Sequence, residues 1–212
     1  MPKKSDILVL LQPGMGRNDH GEIAAKLVAE NILAYLSTIT EINPDQLQKA
    51  INKANLAIKQ LKQEKEADAG ATVGGIVITQ KQAICFWVGD VKVLHFRDGR
   101  LQFESKSHTL VNEVKKNGSI NDSKRLKKYR HVVTRSVQGY IKNSQVDTKT
   151  IDDLSENDII IVCSDGVHDL IDAYNIQELL RSSEDILQMA NKIEDLLQPE
   201  AKDNYSLVAY QA

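Results

Sequence analysis

One stretch, IIIVCSDGVHDL at residues 159–170, constrains the fold of this chain more than any other. Its first five residues are apolar or small, which predicts a strand that is buried on both faces. The strand ends in Ser164-Asp165-Gly166. A carboxylate at the end of a strand that is buried away from water needs hydrogen-bond donors, a basic group or a metal ion to compensate its charge. The glycine leaves the backbone open to a ligand. Taken alone, the motif favours the simpler interpretation of a strand-to-loop turn in which Asp165 caps local amides.

Composition narrows the class of protein. The chain has 212 residues, of which 42% are hydrophobic, so it is long enough for one substantial core and short for two. A formal charge of −2 argues against nucleic acid or a membrane surface as a partner. No apolar run approaches the roughly 18 residues that a membrane span needs. Cys85 and Cys163 stand in apolar runs, where cysteine is typically a small hydrophobe. We therefore expect a single cytoplasmic domain over residues 1–212.

The hydrophobic pattern along the chain predicts an α+β fold. The predicted elements are, in chain order, a strand at 7–11, helices from Gly21 and from Asn43-Pro44, a meander of strands at 72–79, 82–88, 91–96 and 101–103, a strand at 131–137, the central strand at 159–163, helices capped by Asp172 and Ser183, and a strand at 205–210. Helices that stand in blocks between the strands predict sheets inside and helix pairs packed outside.

A second acidic residue, Asp203, precedes the final predicted strand. On its own, Asp203-Asn204 is only a turn signal. If the final strand is adjacent and antiparallel to the central one, Asp203 and Asp165 converge at one end of a sheet. Converging carboxylates bind hard cations, so this arrangement predicts a site for Mg²⁺ or Mn²⁺.

The middle of the chain is strongly basic. Seven lysines and arginines stand between Lys115 and His131, against one acid, Asp122. Such a cluster attracts phosphate groups or an acidic partner, although a solvated charged face explains it more simply. Tyr129 is the single aromatic residue there, which argues against nucleic-acid binding.

Seven short motifs occur in a familiar order. They are Gly14-Met15-Gly16 with Gly21-Glu22, Gly70-Ala71-Thr72, Val88-Gly89-Asp90, Ser107-His108-Thr109, Thr134-Arg135-Ser136-Val137, Ser164-Asp165-Gly166 through Asp169, and Asp203-Asn204. With them the chain resembles the PPM family of metal-dependent protein phosphatases (type 2C), in particular its bacterial branch. The resemblance implies a two-sheet antiparallel β-sandwich flanked by helix pairs. It also implies hydrolysis of phosphoserine and phosphothreonine by water activated between two divalent metal ions.

The resemblance also assigns site residues. It makes Asp165 and Asp203 ligands of one Mg²⁺ or Mn²⁺ ion and the Gly14 carbonyl a ligand of the other. It places Asp90 and Asp169 where the family can hold an additional metal ion. The implied partner is a phosphorylated protein.

The departures from the family pattern concern the metal site. Pro13 stands where the family has the aspartate that bridges its two metal ions, and a proline has no side-chain ligand. Arg17 and Asn18 replace a glycine and a histidine of the same motif. Because the chain begins at the strand before this motif, we expect the family's opening strands, which carry a phosphate-gripping arginine, to be absent. We therefore expect one metal ion or none.

Two hypotheses follow for function. The first is a phosphatase with weakened activity, in which Asp165, Asp203 and either Asp19 or Asp90 hold a reorganised metal ion. The second is a pseudophosphatase that binds a phosphoprotein or regulates a partner. In one version of it Arg17 binds phosphate in place of metal charge, against the simpler interpretation of a solvent-facing loop residue. Efficient catalysis is not expected in either case.

The expected absence of opening strands adds a prediction about partners. It would leave one sheet edge uncovered, and an uncovered edge recruits a strand from a partner or a second copy. The alternative is that residues 1–6 protect this edge.

Overall fold

The computed structural model describes residues 7–11, 13–15, 20–65, 68–79, 82–116, 129–201 and 203–212. Its strands are β1 (Ile7–Leu11), β2 (Gly14–Met15), β3 (Gly70–Ala71), β4 (Val73–Ile78), β5 (Gln82–Val88), β6 (Val91–Arg97), β7 (Arg100–Glu104), β8 (Asp147–Asp152), β9 (Asp158–Ser164) and β10 (Leu207–Gln211). Its helices are α1 (His20–Leu36), α2 (Pro44–Lys65), α3 (Leu110–Lys116), α4 (Asp165–His168), α5 (Ala173–Arg181) and α6 (Ile186–Leu197), with a 3₁₀ turn at Ile141–Asn143.

Two four-stranded sheets form the centre of the molecule. Sheet 1 has the strand order β1-β4-β5-β8, and sheet 2 has the order β10-β9-β6-β7. Every neighbouring pair in both sheets is antiparallel. A short ribbon of β2 and β3 lies beside them. The predicted α+β class, a two-sheet antiparallel β-sandwich flanked by helix pairs, is confirmed.

Three buried clusters fill the spaces between four layers. The first lies between α1, α2 and the outer face of sheet 1, the second lies between the two sheets, and the third lies between sheet 2 and α5 with α6. Successive residues of one strand alternate between clusters, as the period of two requires. In β9, for example, Ile160 and Val162 face sheet 1 while Ile161 and Cys163 face the helices. Burial on both faces explains why this strand is a continuous apolar run.

Two of the three predicted helix caps are confirmed. The Gln46 amide donates to Asn43 Oδ1 at 3.0 Å, directly before α2. Asp172 caps α5 in the same way. The prediction of Ser183 as the cap of α6 is wrong. Asp185 accepts from the Gln188 amide at 2.7 Å, whereas the Ser183 hydroxyl donates back to a carbonyl at the end of α5.

The predicted strand at 131–137 is also wrong. Residues 129–131 form a turn, and the residues after this turn make only isolated bridges, Thr109 with Val133 and Ala71 with Val137. Because these bridges go to two different segments, no continuous ladder forms. Conversely, β8 was not predicted. The final strand, predicted at 205–210, runs from Leu207 to Gln211. No described helix combines the length and the apolar character needed to cross a membrane.

Candidate functional site

The strand order brings Asp165 and Asp203 to the same end of sheet 2. β9 and β10 are adjacent and antiparallel, as the convergence of the two acids requires. Just beyond the ladder, the Ser164 amide donates to the Ser206 carbonyl, and the Ser206 amide donates to Ser164 Oγ, each at 3.0 Å. Asp165 is the first residue of α4, and Asp203 lies in the segment that leads into β10.

Asp90 joins this pair from the neighbouring strand. It lies in the turn between β5 and β6, and Val91 is paired with Ser164 across β6 and β9. Asp90 is only 7% exposed. Burial raises the pKa of Asp165, and the negative charges of Asp90 and Asp203 raise it further. The three carboxylates therefore lie close enough to repel one another electrostatically, and this repulsion favours the binding of a cation among them.

A histidine that the family motifs did not single out lies within this acidic cluster. His168 Nε2 lies 3.4 Å from Asp90 Oδ1, and both side chains are 9% exposed. The same Nε2 atom is buried and has no hydrogen-bond partner. The sequence did hold a signal for it, because residues three apart on a helix lie on the same face and His168 follows Asp165 by three positions.

Asp169 lies beside basic side chains. Its Oδ2 atom is 3.5 Å from His131 Nδ1 and 3.8 Å from Arg130 Nη2. All three side chains are partly exposed, so the pairing is weak in energy. It nevertheless places positive charge next to a residue predicted to bind a metal ion.

Pro13 and Gly14 lie at the start of the β2–β3 ribbon. The Pro13 carbonyl accepts from the Thr72 amide at 3.1 Å and from Thr72 Oγ1 at 3.5 Å. Gly14 pairs with Ala71. The ribbon thus fixes the backbone at the position where the resemblance places the bridging carboxylate, and Pro13 presents no side-chain oxygen there. Arg17 and Asp19, which the sequence suggested as site residues, lie outside the described residues.

Gly166 has a packing role that differs from the interpretation of its sequence motif. A Cβ atom at this position would collide with the Asn204 carbonyl and with Tyr205. The backbone that approaches this glycine is therefore the chain's own segment before β10. The turn interpretation of Asp165 is supported in part, because its Oδ1 atom accepts from the Gly166 amide at 2.9 Å. Asp203 Oδ1 accepts from the Asn204 amide at 2.8 Å.

The possible metal donors at this end of sheet 2 are carboxylates and one imidazole. Three neighbouring carboxylates and an unpartnered imidazole nitrogen are suitable donors for a metal ion. However, no group of three or more His, Cys, Asp or Glu side chains in the described ranges already stands in an arrangement that could hold an ion. Side chains would therefore have to turn toward it. The residues do not fit a pair of ions joined by a carboxylate at position 13.

A hydrogen-bonded network around His108 holds the backbone of the turn that contains Asp90. His108 Nδ1 accepts from the Gly89 amide at 3.0 Å, and the His108 amide donates to the Gly89 carbonyl at 2.9 Å. Burial lowers the pKa of His108, and because Nδ1 accepts from the Gly89 amide, Nε2 is the ring nitrogen that faces the acidic partner. That Nε2 lies 3.1 Å from Asp147 Oδ2, and Arg135 Nη1 lies 2.9 Å from Asp147 Oδ1. The Ser-His-Thr and Thr-Arg motifs thus meet at Asp147, and the first of them contacts the backbone of Gly89, next to Asp90.

Two curated proteins are similar to this chain over most of its length. The chain is 24% identical over 197 residues to the serine/threonine phosphatase stp of Listeria monocytogenes serotype 4b, covering 89% of this chain and 77% of that protein. It is 27% identical over 200 residues to a putative protein phosphatase 2C-type of Streptococcus pyogenes serotype M6, covering 92% and 80%.

Solved structures show the same fold. The serine/threonine phosphatase of S. agalactiae superimposes with a TM-score of 0.85 at 22% identity, covering 100% of this chain and 90% of that one. The catalytic domain of the serine threonine protein phosphatase PstP, in complex with two manganese ions, gives a TM-score of 0.78 at 22% identity, covering 96% and 89%. The family model described as Protein phosphatase 2C matches residues 2–206. This chain therefore belongs to the protein phosphatase 2C family.

Proposed function

We propose that this chain is a metal-dependent phosphatase of phosphoserine and phosphothreonine proteins whose activity is attenuated because it holds one divalent cation instead of two. The ion is Mg²⁺ or Mn²⁺, and its donors are Asp165, Asp203 and Asp90. Residues 1–212 act as one domain in this proposal. The observation that carries it is Pro13, which leaves the fixed backbone of the β2–β3 ribbon without a carboxylate.

Electrostatics supports a single ion. Two divalent ions 4 Å apart repel each other by about 4 kcal/mol even at the dielectric constant of water, and by more in a partly buried site. A bridging carboxylate offsets this repulsion, and position 13 supplies none. The remaining carboxylates lie close enough to raise the pKa of Asp165, so one cation among them relieves their mutual repulsion.

The chemistry follows from this donor set. A bound divalent cation lowers the pKa of a coordinated water molecule and stabilises charge on phosphoryl oxygens. The residues of this chain hold the carboxylates in place, Asp90 through the His108 network and Asp165 through the end of β9. The names of the relatives, which are serine/threonine phosphatases, support a phosphorylated protein as substrate.

A second candidate function is phosphoprotein binding without hydrolysis. Basic side chains stand beside two of the predicted metal ligands, with His168 next to Asp90, and His131 with Arg130 next to Asp169. The positive charge of the Arg130 guanidinium attracts phosphate and offsets part of the carboxylate charge that a metal ion would otherwise neutralise. Three earlier expectations stay predictions: phosphate binding by Arg17, a cytoplasmic location, and the pairing of a partner strand with β1. In the described part of the chain, β1 is an outer strand of sheet 1.

Two measurements on one protein preparation test the proposal. Calorimetric titration with Mn²⁺ and Mg²⁺ should give one ion per chain, and a phosphothreonine peptide should be hydrolysed slowly. Asp165→Asn should abolish both signals. Asp195→Asn is the matched control, because it removes the same charge from an exposed position on α6, and it should change neither. A stoichiometry of two would contradict the proposal. Peptide binding without metal binding or turnover would favour the second candidate.

A further inference from the structure

We infer that His168 supplies a nitrogen ligand to the metal ion of this centre, so that the centre selects a transition-metal ion such as Mn²⁺ or Zn²⁺ over Mg²⁺. The inference rests on the proposed function, since it needs a divalent cation beside Asp90 and Asp165. It adds a donor of a different chemical type to a site otherwise built from oxygen atoms.

The first observation is an unpartnered nitrogen. The His168 side chain is 9% exposed, and its Nε2 atom is buried without any hydrogen-bond partner. Leaving a buried polar atom unpaired costs about 1–3 kcal/mol, and such atoms in native structures call for an explanation. The atom points at the acidic cluster, with Asp90 Oδ1 at 3.4 Å. A cation between the two would satisfy the nitrogen and the carboxylate together.

The second observation is the spacing. Two donors that each lie about 2.1 Å from one ion are about 3.4 Å apart at the tetrahedral angle and about 3.0 Å apart at the octahedral angle. The Nε2···Oδ1 separation of 3.4 Å equals the tetrahedral value. The separation allows both atoms to bind one ion at the tetrahedral angle, whereas octahedral binding would need them to move closer together by about 0.4 Å.

Local structure keeps the histidine in place. His168 ends α4, which begins at Asp165, and the Asp169 amide donates to the Asp165 carbonyl at 2.9 Å. Val167, between the two, is fully buried in the core under sheet 2. Asp165 is the third donor. Its Oδ1 atom now accepts from the Gly166 amide. Its side chain therefore has to turn for ion binding, since no group of three among the described side chains already stands in an arrangement that could hold an ion.

Ligand chemistry gives the selectivity. Imidazole suits Zn²⁺ and other transition metals, whereas Mg²⁺ takes oxygen donors almost exclusively. The competing interpretation is a plain ion pair between His168 and Asp90 with no metal contact. In that case an incoming cation would meet only oxygen atoms and would be repelled by the imidazolium.

Pulsed electron paramagnetic resonance on the Mn²⁺-loaded chain separates the two interpretations. A directly bound imidazole gives ¹⁴N modulation of the electron spin echo. We expect this modulation in the unmodified chain and in His131→Gln, a control in which the histidine is exposed, and its loss in His168→Gln. The Mn²⁺ affinity of His168→Gln should fall by about tenfold or more while the Mg²⁺ affinity holds.

The spectrum of the unmodified protein tests the inference even if a variant fails to fold. Bound Mn²⁺ without ¹⁴N modulation overturns the inference and leaves the proposed function intact. Modulation that persists in a folded His168→Gln also overturns it, because the nitrogen then comes from elsewhere. If the unmodified chain binds Mg²⁺ but not Mn²⁺, the inference is overturned and the proposed function stands. If it binds neither ion, both fail.

Discussion

Replacing Asp158 with asparagine tests how the end of sheet 2 remote from the acidic cluster is held. Asp158 begins β9, whereas Asp165 lies just past its other end. Its side chain is fully buried. Its Oδ1 atom accepts from Arg97 Nε at 2.7 Å and lies 2.8 Å from His95 Nε2, and its Oδ2 atom accepts from Arg97 Nη2 and the Ser155 amide, both at 2.7 Å.

The size of the effect can be derived from these contacts. Asparagine keeps one acceptor oxygen, but its NH₂ group takes the place of either Oδ1 or Oδ2. In both cases this group would face the N–H donors that the lost oxygen accepted from. Removing one partner of a buried ion pair costs about 3–5 kcal/mol. Because the Arg97 side chain is 37% exposed and regains water, we expect the lower end, about 3 kcal/mol of unfolding free energy.

Urea denaturation followed by circular dichroism measures this loss. Glu156→Gln is the control, since Glu156 lies exposed on the same turn, and it should change the unfolding free energy by less than about 0.5 kcal/mol. A loss below about 1 kcal/mol for Asp158→Asn would contradict the expected stabilisation, because it would mean that the buried carboxylate is not held by these contacts.

The pH dependence gives an independent check. Burial raises the pKa of Asp158, but the hydrogen bonds from Arg97 and the Ser155 amide, with His95, outweigh it and hold the pKa below its usual range. A depressed pKa contributes stability that is present above the unfolded-state value, about 3.9, and is lost as the pH falls below it. The stability difference between the native chain and Asp158→Asn should therefore narrow below about pH 4. A constant difference from pH 7 to pH 3 would be inconsistent with this linkage.

Three further substitutions or treatments test the packing. Gly74→Ala places a methyl group against two valines of sheet 2 and should cost about 1–3 kcal/mol in urea unfolding. Gly139→Ala should cost about as much, 1–3 kcal/mol, because φ is +89° and the new Cβ would lie 3.2 Å from the α2 backbone. Burial raises the pKa of both Cys85 and Cys163 to about 12, so iodoacetamide at pH 8 should label neither thiol until the chain unfolds.

Most of the fold was predictable from local patterns. Short runs of apolar and β-branched residues, bounded by turn signals, identified the strands of both sheets except β8, and apolar stripes identified the long helices. The sequence DTKTID of β8 gave little signal, because this strand lies at the edge of sheet 1 and Ile151 is its single buried residue. The 131–137 segment gave a false signal, since its β-branched residues pair with two separate segments instead of one strand.

The site was predictable only in part. The convergence of Asp165 and Asp203 depended on assuming adjacent strands, and the structure has that adjacency. The approach of His168 to Asp90 was not predictable, because it depends on how the turn between β5 and β6 meets α4 in space. For the cap of α6, Ser183 and Asp185 are both capping residue types, and sequence alone could not choose between them.

Steady-state hydrolysis of a phosphothreonine peptide by Pro13→Asp, with Mn²⁺, is the sharpest test of attenuation through a missing bridging carboxylate. The substitution returns a carboxylate to the fixed backbone of the β2–β3 ribbon, and Pro13→Asn is the matched control that removes the proline without adding charge. We expect kcat/KM to rise by about tenfold or more in Pro13→Asp alone, with two Mn²⁺ ions bound instead of one. An unchanged kcat/KM in a folded Pro13→Asp, or an equal rise in Pro13→Asn, would show that the missing carboxylate does not limit the activity.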